Sequence, residues 1–444
     1  MSLPQYKRYR QSGADWLGII PDHWSAVRVK TVFEIRKRIA GELGHDVLSV
    51  TQQGLKIRNT DSNDGQLSMD YSKYQLVEPD DFVMNHMDLL TGYVDVSKFH
   101  GVTSPDYRVF TARKKEVSLK FFLYLFQNGY RQRIFYAFGQ GASGLGRWRM
   151  PTDSFNDFIL PVPPLSEQTA IATFLDHETS KIDALVEEQQ QLIELLKEKR
   201  QAVISRAVTK GIDPNETMKD PGVEWLGEVP EHWDVMTLRR LSSRVQTGRT
   251  PTTENPAADT EGLPWFTPGD FGGDLRLSTA AKNISHACVE ANDANLFPPG
   301  SVLIVSIGAT LGRVGFSDRL CSGNQQINAV PPCDAMKGLF LAYSLSVKAE
   351  MMRFLSNAST IGIMNQEKTK EVVLAVPPLS EQSAIVEFLG ATTHSLNALA
   401  EEAEKVIALL QERRGALISA AVTGKIDVRG LVEAHVPIPD VVAA

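Results

Sequence analysis

Two polar segments of this chain hold side chains suited to contacts with phosphate and nucleobases. The first, residues 139–149, reads GQGASGLGRWR and supplies backbone N–H groups, two arginines and an indole. The second, residues 357–368, reads NASTIGIMNQEK and brings Asn365 and Gln366, amides that can bond adenine through a donor and an acceptor at once. The candidate contacts are Gln140, Ser143, Gly144, Arg147, Trp148 and Arg149 in the first segment, and Thr360, Asn365, Gln366 and Lys368 in the second.

Signatures of catalysis are missing by comparison. Gly139, Gly141 and Gly144 spell a dinucleotide-binding fingerprint by letter, but no strand–helix context surrounds them and Pro151 follows closely. The chain has no Walker A sequence, no HExxH and no paired Cys/His ligand spacing among its nine histidines. The DPPY or NPPY motif of an amino-methyltransferase is absent, and VPPL lacks its polar residue. A binding role is expected, with no catalytic residue and no metal.

These segments are positioned by a repeat. VPPLSEQ occurs at 162–168 and again at 376–382, and the match runs without a gap to Ile212-Asp213 and Ile426-Asp427. Trp16-Leu17-Gly18, Pro21 and His23-Trp24 likewise recur as Trp225-Leu226-Gly227, Pro230 and His232-Trp233. The architecture is therefore a lobe plus a long helix, written twice. Pro163-Pro164 and Pro377-Pro378 end the extended chain, with Ser166 and Ser380 expected as N-caps and Glu167 and Glu381 suiting the positive helix end.

Alternating steps of four and three predict a coiled-coil seam. In the first copy it runs through Ile171, Leu175, Ile182, Leu185, Leu192 and Leu196, with Glu178 and Lys199 as polar members. The second copy has Ile385, Leu389, Leu396, Leu399, Ala403, Val406 and Leu410, with Thr392 and Arg413 as polar members. Paired within one chain, the two helices must run antiparallel. At ~1.5 Å per residue each would span about 60 Å. The expected fold is mixed α/β: two α/β lobes joined by two long antiparallel coiled-coil helices with an internal pseudo-twofold repeat. Its divisions are 1–161, 162–213, 214–375, 376–427 and a tail at 428–444.

Outside the repeats the lobes diverge. Lobe one suggests strands at 46–50 and 75–85 and a helix near 119–138, while lobe two suggests strands at 301–307 and 328–330 and a helix near 338–355. The tryptophans (Trp16, Trp24, Trp225, Trp233) are expected to anchor each lobe's entry strand. Basic clusters at Arg28, Lys30, Arg36, Lys37 and Arg38, and at Arg239, Arg240, Arg244 and Arg249, are expected on solvated faces.

The net charge of −7 excludes a general polyelectrolyte binder. Residues 1–161 carry 21 Lys+Arg against 17 Asp+Glu, whereas 214–379 carry 14 against 18, so any nucleic acid must be held by local patches or with a partner's help. No apolar run approaches the ~20 residues of a membrane span, and the first residues lack a signal-peptide core. Three cysteines, Cys288, Cys321 and Cys333, none in a CxxC pair, suit a reducing cytoplasm.

Two divergent lobes, each opened by WLGxxPxHW and closed by PPLSEQ plus a long helix, resemble the specificity subunit of type I restriction-modification systems. The likeness extends in lobe two to TGRTP at 247–251, to residues 264–270, to 300–303 and 312–315, and to Asn324-Gln325. It implies that 1–161 and 214–375 are target recognition domains, each reading one half of a split, asymmetric double-stranded DNA site. The helices would act as a ruler and dock two modification (methyltransferase) subunits, which bring S-adenosylmethionine and methylate an adenine in each half. Two restriction (motor and nuclease) subunits with ATP and Mg would complete the complex. This chain would bind no cofactor itself, would touch no membrane, and would work in a prokaryotic cytoplasm. The rival reading is a coiled-coil scaffold that joins protein partners without DNA.

Overall fold

The computed structural model of the chain describes residues 3–59, 71–142, 147–242, 244–356 and 362–432, with backbone alone for Ala142, Arg147 and Val432. The chain divides into two compact units, residues 1–189 with 405–444, and residues 190–404. The division falls inside both long helices, not at the repeat boundaries 162, 213, 376 and 427. The reason is packing: each unit takes the start of one long helix and the end of the other.

In unit 1 a four-stranded antiparallel sheet has the order Phe33–Arg36, Arg108–Ala112, Phe82–Met84, Val94–Val96. Unit 2 has its own sheet in the order Gln246–Thr247, Ile327–Val330, Ser301–Val305, Val314–Ser317. The registers match pair for pair. Val109 lies opposite Arg36 and Val83, and Ala329 lies opposite Gln246 and Leu303. Val83 then pairs with Asp95 as Leu303 pairs with Gly315. Lobes that share almost no sequence here therefore share a frame. Each also closes on itself: Ser25–Arg28 pairs with Ile159–Val162, and Asp234–Thr237 pairs with Val373–Val376. The closing strand feeds straight into a long helix.

The expected lobe elements are present with finer breaks. The strand signal at 75–85 is two strands, Gln75–Val77 and Phe82–Met84, split at Asp80, whose φ is 69°. The helix signal near 119–138 is Leu119–Arg131 followed by a 3-10 turn, with Arg133 at φ 54° between them. Ser118 caps that helix by accepting from the Phe121 N–H, and Phe121, Phe122, Leu125 and Phe126 form one apolar face against the sheet. In unit 2 the signal near 338–355 is two helices, Gly338–Ser346 and Ala349–Leu355.

The long helices are Leu165–Lys210 and Leu379–Val422. Ser166 and Ser380 are not their N-caps. Both lie in the first turn, and the carbonyls of Pro164 and Pro378 accept the first helical bonds, from Gln168 and Gln382. In unit 1, Ile171 and Leu175 share a core with Ile418, Ala421 and Val422; in unit 2, Ile204, Ala207 and Val208 share one with Ile385 and Leu389. The start of each helix thus meets the end of the other, which makes the pair antiparallel.

Half of the expected seam is shifted by one residue. Ile171, Leu175, Ile182, Leu196, Ile385, Leu389 and Leu396 are buried, but Leu185, Leu192 and Leu399 are 44%, 41% and 51% exposed, and Val406 and Leu410 are half-buried. The inward positions one residue on are Thr179, Val186, Ile193 and Arg200 in the first copy and Thr393 and Arg414 in the second, while Ala403, on the original phase, is also buried. Apolar doublets such as Leu185-Val186 and Leu192-Ile193 fit either phase, and packing selects the second member. Thr179 and Thr393, not Glu178 and Thr392, are the buried polar seam residues, each hydroxyl donating to a carbonyl one turn back (Leu175 and Leu389).

The recurring motifs meet in space within each unit. His23 Nε2 lies 2.8 Å from Glu167, and His232 Nε2 lies 2.9 Å from Glu381. Gln168 accepts from the Ser118 N–H and donates to the Pro163 carbonyl. Gln382 accepts from the Lys337 N–H and donates to Pro377. WLGxxPxHW and PPLSEQ are therefore two halves of one latch that fastens a lobe to its helix. Trp24 and Trp233 are fully buried in it, while Trp225 is exposed.

Candidate nucleic-acid interface

Both candidate segments return to their lobe at the same point of the shared frame. The Met150 N–H donates to the His86 carbonyl, and the Met364 N–H donates to the Ser306 carbonyl, at 2.9 Å in each case. His86 and Ser306 each stand two residues beyond equivalent positions, Met84 and Ile304. From the neighbouring strand, Arg108 Nη2 donates to the Met150 carbonyl at 3.0 Å and Asn328 Nδ2 to the Met364 carbonyl at 2.8 Å. Different side chains at one register position do the same job.

In lobe one the segment is a β-hairpin, Gln140–Ala142 paired with Arg147–Arg149. Ser143 and Gly144 lie outside the described residues, as does the Arg147 side chain. Gln140 and Arg149 pair across the ladder and are both exposed. Trp148 is different: its indole N–H donates to the Tyr136 carbonyl at 2.8 Å, and its ring lies 5.3 Å from the Tyr136 ring. A Cβ at Gly139 would fall 2.3 Å from that indole nitrogen, so the glycine makes room for the tryptophan. Trp148 thus anchors the hairpin that presents Arg149. Beneath it, burial, with help from Arg108 and Arg149, lowers His86 to about 3. Burial also lowers Arg108, to about 10, with its guanidinium 4.5 Å above the Phe155 ring.

In lobe two Thr360 lies outside the described residues. Asn365 caps the helix Gln366–Lys370, its side-chain oxygen accepting from the Lys368 N–H at 2.8 Å. The Gln366 amide lies 2.9 Å from the Thr247 hydroxyl, and Lys368 Nζ donates to the Ser356 carbonyl at 2.9 Å. Asn365 and Gln366 therefore use part of their hydrogen-bonding capacity inside the lobe, which narrows the expected bidentate role.

Residues outside the expected set complete this face. Gly248 donates to the Ile327 carbonyl and Arg249 to the Gly323 carbonyl, both at 2.8 Å, and the Thr250 hydroxyl donates to Gln325 at 2.6 Å. A Cβ at Gly248 would lie 2.2 Å from the Gly323 carbonyl oxygen, so only glycine permits this approach. Asp293 clamps the outer side by accepting from the N–H groups of Thr252 and Thr253, whose bonds hold its carboxyl down to about 2. Arg249, Thr250 and Gln325 are left exposed, with the Arg249 guanidinium paired to Asp293 at 3.3 Å. TGRTP and Asn324-Gln325 were visible in sequence; their meeting at Thr250–Gln325 was not.

Most other expected basic residues are neutralised. Arg28 and Lys30 meet Asp157, Arg36 meets Glu34, Arg38 meets Glu78 and Asp81, and Arg239 meets Glu367. Such exposed pairs contribute little to stability. Among the described residues no group of three or more His, Cys, Asp or Glu is placed to hold a metal ion, and no helix is long and apolar enough to cross a membrane.

The sequence family described as Type I restriction modification DNA specificity domain matches residues 21–195 and 230–408. The putative type I restriction enzyme MjaX specificity subunit of Methanocaldococcus jannaschii is 21% identical over 93% of this chain and 96% of its own. The EcoBI specificity subunit of Escherichia coli is 28% identical over 26% of this chain and 27% of its own. Among solved structures, a chain from work on complex assembly and conformational transition of the type I R-M system gives a TM-score of 0.64 at 18% identity, covering 91% of this chain and 98% of its own. The HsdS subunit from Thermoanaerobacter tengcongensis gives 0.52 at 17% identity over 92% and 98%. At these identities the structural likeness bears on the fold.

Proposed function

This chain belongs to the type I restriction modification DNA specificity family, and from that premise we propose that its two lobes read separate halves of one double-stranded DNA site. The observation that supports this most is a pair of polar faces set at different places on equivalent frames. One frame carries both, yet lobe one presents Gln140 and Arg149 on a hairpin while lobe two presents Arg249, Thr250 and Gln325 on packed loops. Equal frames with unequal donors and acceptors suit an asymmetric target. The long helices set the distance between halves and dock two modification subunits, whose S-adenosylmethionine methylates an adenine in each half. Two restriction subunits with ATP and Mg complete the assembly in a prokaryotic cytoplasm. This chain supplies recognition and no catalytic group.

Mapping methylated adenines made by the chain with its modification partner tests the division of labour. Arg249→Ala with Gln325→Ala should relax only one half of the methylated motif, and Gln140→Ala with Arg149→Ala only the other. Relaxation of both halves by either pair would refute it. Four residues inserted into one long helix add ~6 Å. Against ~3.4 Å per base step, the spacer should grow by one or two base pairs, and an unchanged spacer would remove the ruler.

A further inference from the structure

The repeat supplies an internal control for each seam position, and one pair breaks it. In unit 1 the seam residue Arg414 meets Asp183, Nε to carboxylate at 2.9 Å and Nη2 at 3.3 Å. Its repeat counterpart in unit 2 is Arg200, and the counterpart of Asp183 is Asn397. The buried Nε of both arginines lacks a hydrogen-bond partner, but among the described residues Arg200 makes no ion pair at all. A seam guanidinium that is neutralised in one unit is bare in the other.

Arg200 does not face a packed wall. With Arg313, Gly272, Asp274, Tyr343 and Ser346 it lines a cavity of about 260 Å³. Arg313 is fixed there, its Nη1 donating to the Phe271 carbonyl at 2.6 Å; a Cβ on Gly272 would come within 3.0 Å of that nitrogen. The register counterpart of Arg313 in lobe one is Tyr93, which carries no charge and accepts from Arg131. Asp274 is the carboxylate in the lining, and one of its oxygens accepts from the Leu275 N–H. Two guanidinium groups against one carboxylate leave a net positive site. Its volume is below the ~300–1,000 Å³ of pockets for organic ligands, which suits a tetrahedral oxyanion with its waters better than a nucleotide.

The source of the anion follows from the same turn of chain. Arg313 ends the 306–313 turn, whose first residue, Ser306, donates twice to the Gln326 carbonyl, and whose Ile307 pairs with Ile363. One short turn therefore links the cavity to the face of Arg249 and Gln325. We propose that Arg200 and Arg313 bind a backbone phosphodiester of the DNA, a contact made beside lobe two and without a counterpart in lobe one. This rests on the DNA reading above.

Asn397→Asp tests it by restoring the acid that Arg414 already has, and Arg200→Ala tests it by removing the charge. Binding to duplex DNA is followed across salt concentrations for the chain assembled with its modification partner. Each phosphate contact contributes ~0.9 to the slope of log Kobs against log salt. Either variant should lower the slope by about 1 and weaken cognate and random duplexes alike, with the methylated sequence unchanged. Arg414→Ala should leave the slope as it was. An unchanged slope in both variants, while the wild type binds DNA, overturns the proposal. Loss of partner assembly without a slope change would assign the site to a partner's carboxylate and overturn it equally. Inorganic phosphate, followed by ³¹P line broadening on the full chain, is the independent probe. Broadening should be lost in Asn397→Asp; broadening that persists there overturns the site even if the wild type binds no duplex, the outcome that would refute the DNA reading itself.

Discussion

Lobe one builds its sheet from phenylalanine, and lobe two builds the same sheet from aliphatic residues. Phe110 touches four rings, Phe33, Phe82, Phe126 and Phe155, at centroid distances of 5.0–5.5 Å. Its register counterpart is Val330, buried among Val302, Phe340 and other mainly aliphatic neighbours. Among the described residues most of lobe one's buried apolar side chains fall in one cluster, while lobe two's are spread over three. A register of backbone hydrogen bonds survives this exchange because it depends on strand pairing and on buried volume more than on residue identity. What stays constant is the latch between lobe and helix. Both lobes of this chain hold the frame and the latch while differing in the chemistry built around them.

The largest test of this contrast is in the cores. Phe110→Ala should cost about 3–5 kcal/mol, the usual range for an aromatic removed from a packed core. Val330→Ala removes two methyl groups, at ~0.8 kcal/mol each before any cavity cost. Guanidinium unfolding of the full chain measures both, and equal losses would deny that lobe one relies on its aromatic cluster.

The latch should give a smaller, graded difference. Glu167 has a side chain only 3% exposed and is held by Tyr6 and His23, with Arg429 at 4.0 Å; Glu381 is 23% exposed and is held by His232 and Trp233. Removing a buried, hydrogen-bonded acceptor costs ~1–3 kcal/mol. Glu167→Ala should fall near the top of that range and Glu381→Ala near the bottom, read from unfolding midpoints. The reverse order would show that the shared motif fastens lobe two more firmly.

The members of the latch were legible because identical residues recur in both motifs, but their pairing was not. In sequence Glu167 and Glu381 suit the helix dipole, and their contacts with His23 and His232 are tertiary. The shared sheet was not legible either, since Arg36 and Gln246, or Val109 and Ala329, have nothing in common but their place in a ladder. Half of the seam was misread where doublets let two phases fit equally, and only burial distinguishes Leu192 from Ile193. At the candidate site the polar segments stood out, but their engagement did not. Gln366 bonds Thr247 and Trp148 bonds Tyr136, and the first of these partners is more than a hundred residues away in the chain. Arg249 and Gln325 became visible as one face only when the two loops met.

The smallest expected difference concerns acid. His86 follows a central strand of lobe one, and the corresponding residue in lobe two is Ser306, which does not titrate. Burial, then the nearby charges of Arg108 and Arg149, lower the imidazole to about 3, against roughly 6.5 in an unfolded chain. The unfolded state therefore takes up the proton first, and the stability due to neutral His86 is complete above about pH 6.5 and is lost as the pH falls from there toward 3. His86→Ser should flatten that decline without altering stability near pH 8, as seen in unfolding midpoints measured across the window. The decline should also begin locally. A charged imidazole would lie beside Arg108 and Arg149, and the His86 carbonyl receives the Met150 N–H at the base of the hairpin. Hydrogen exchange at Met150 should accelerate below pH 6 while Met364, bonded to Ser306, keeps its protection; equal acceleration at both would erase the difference between the lobes.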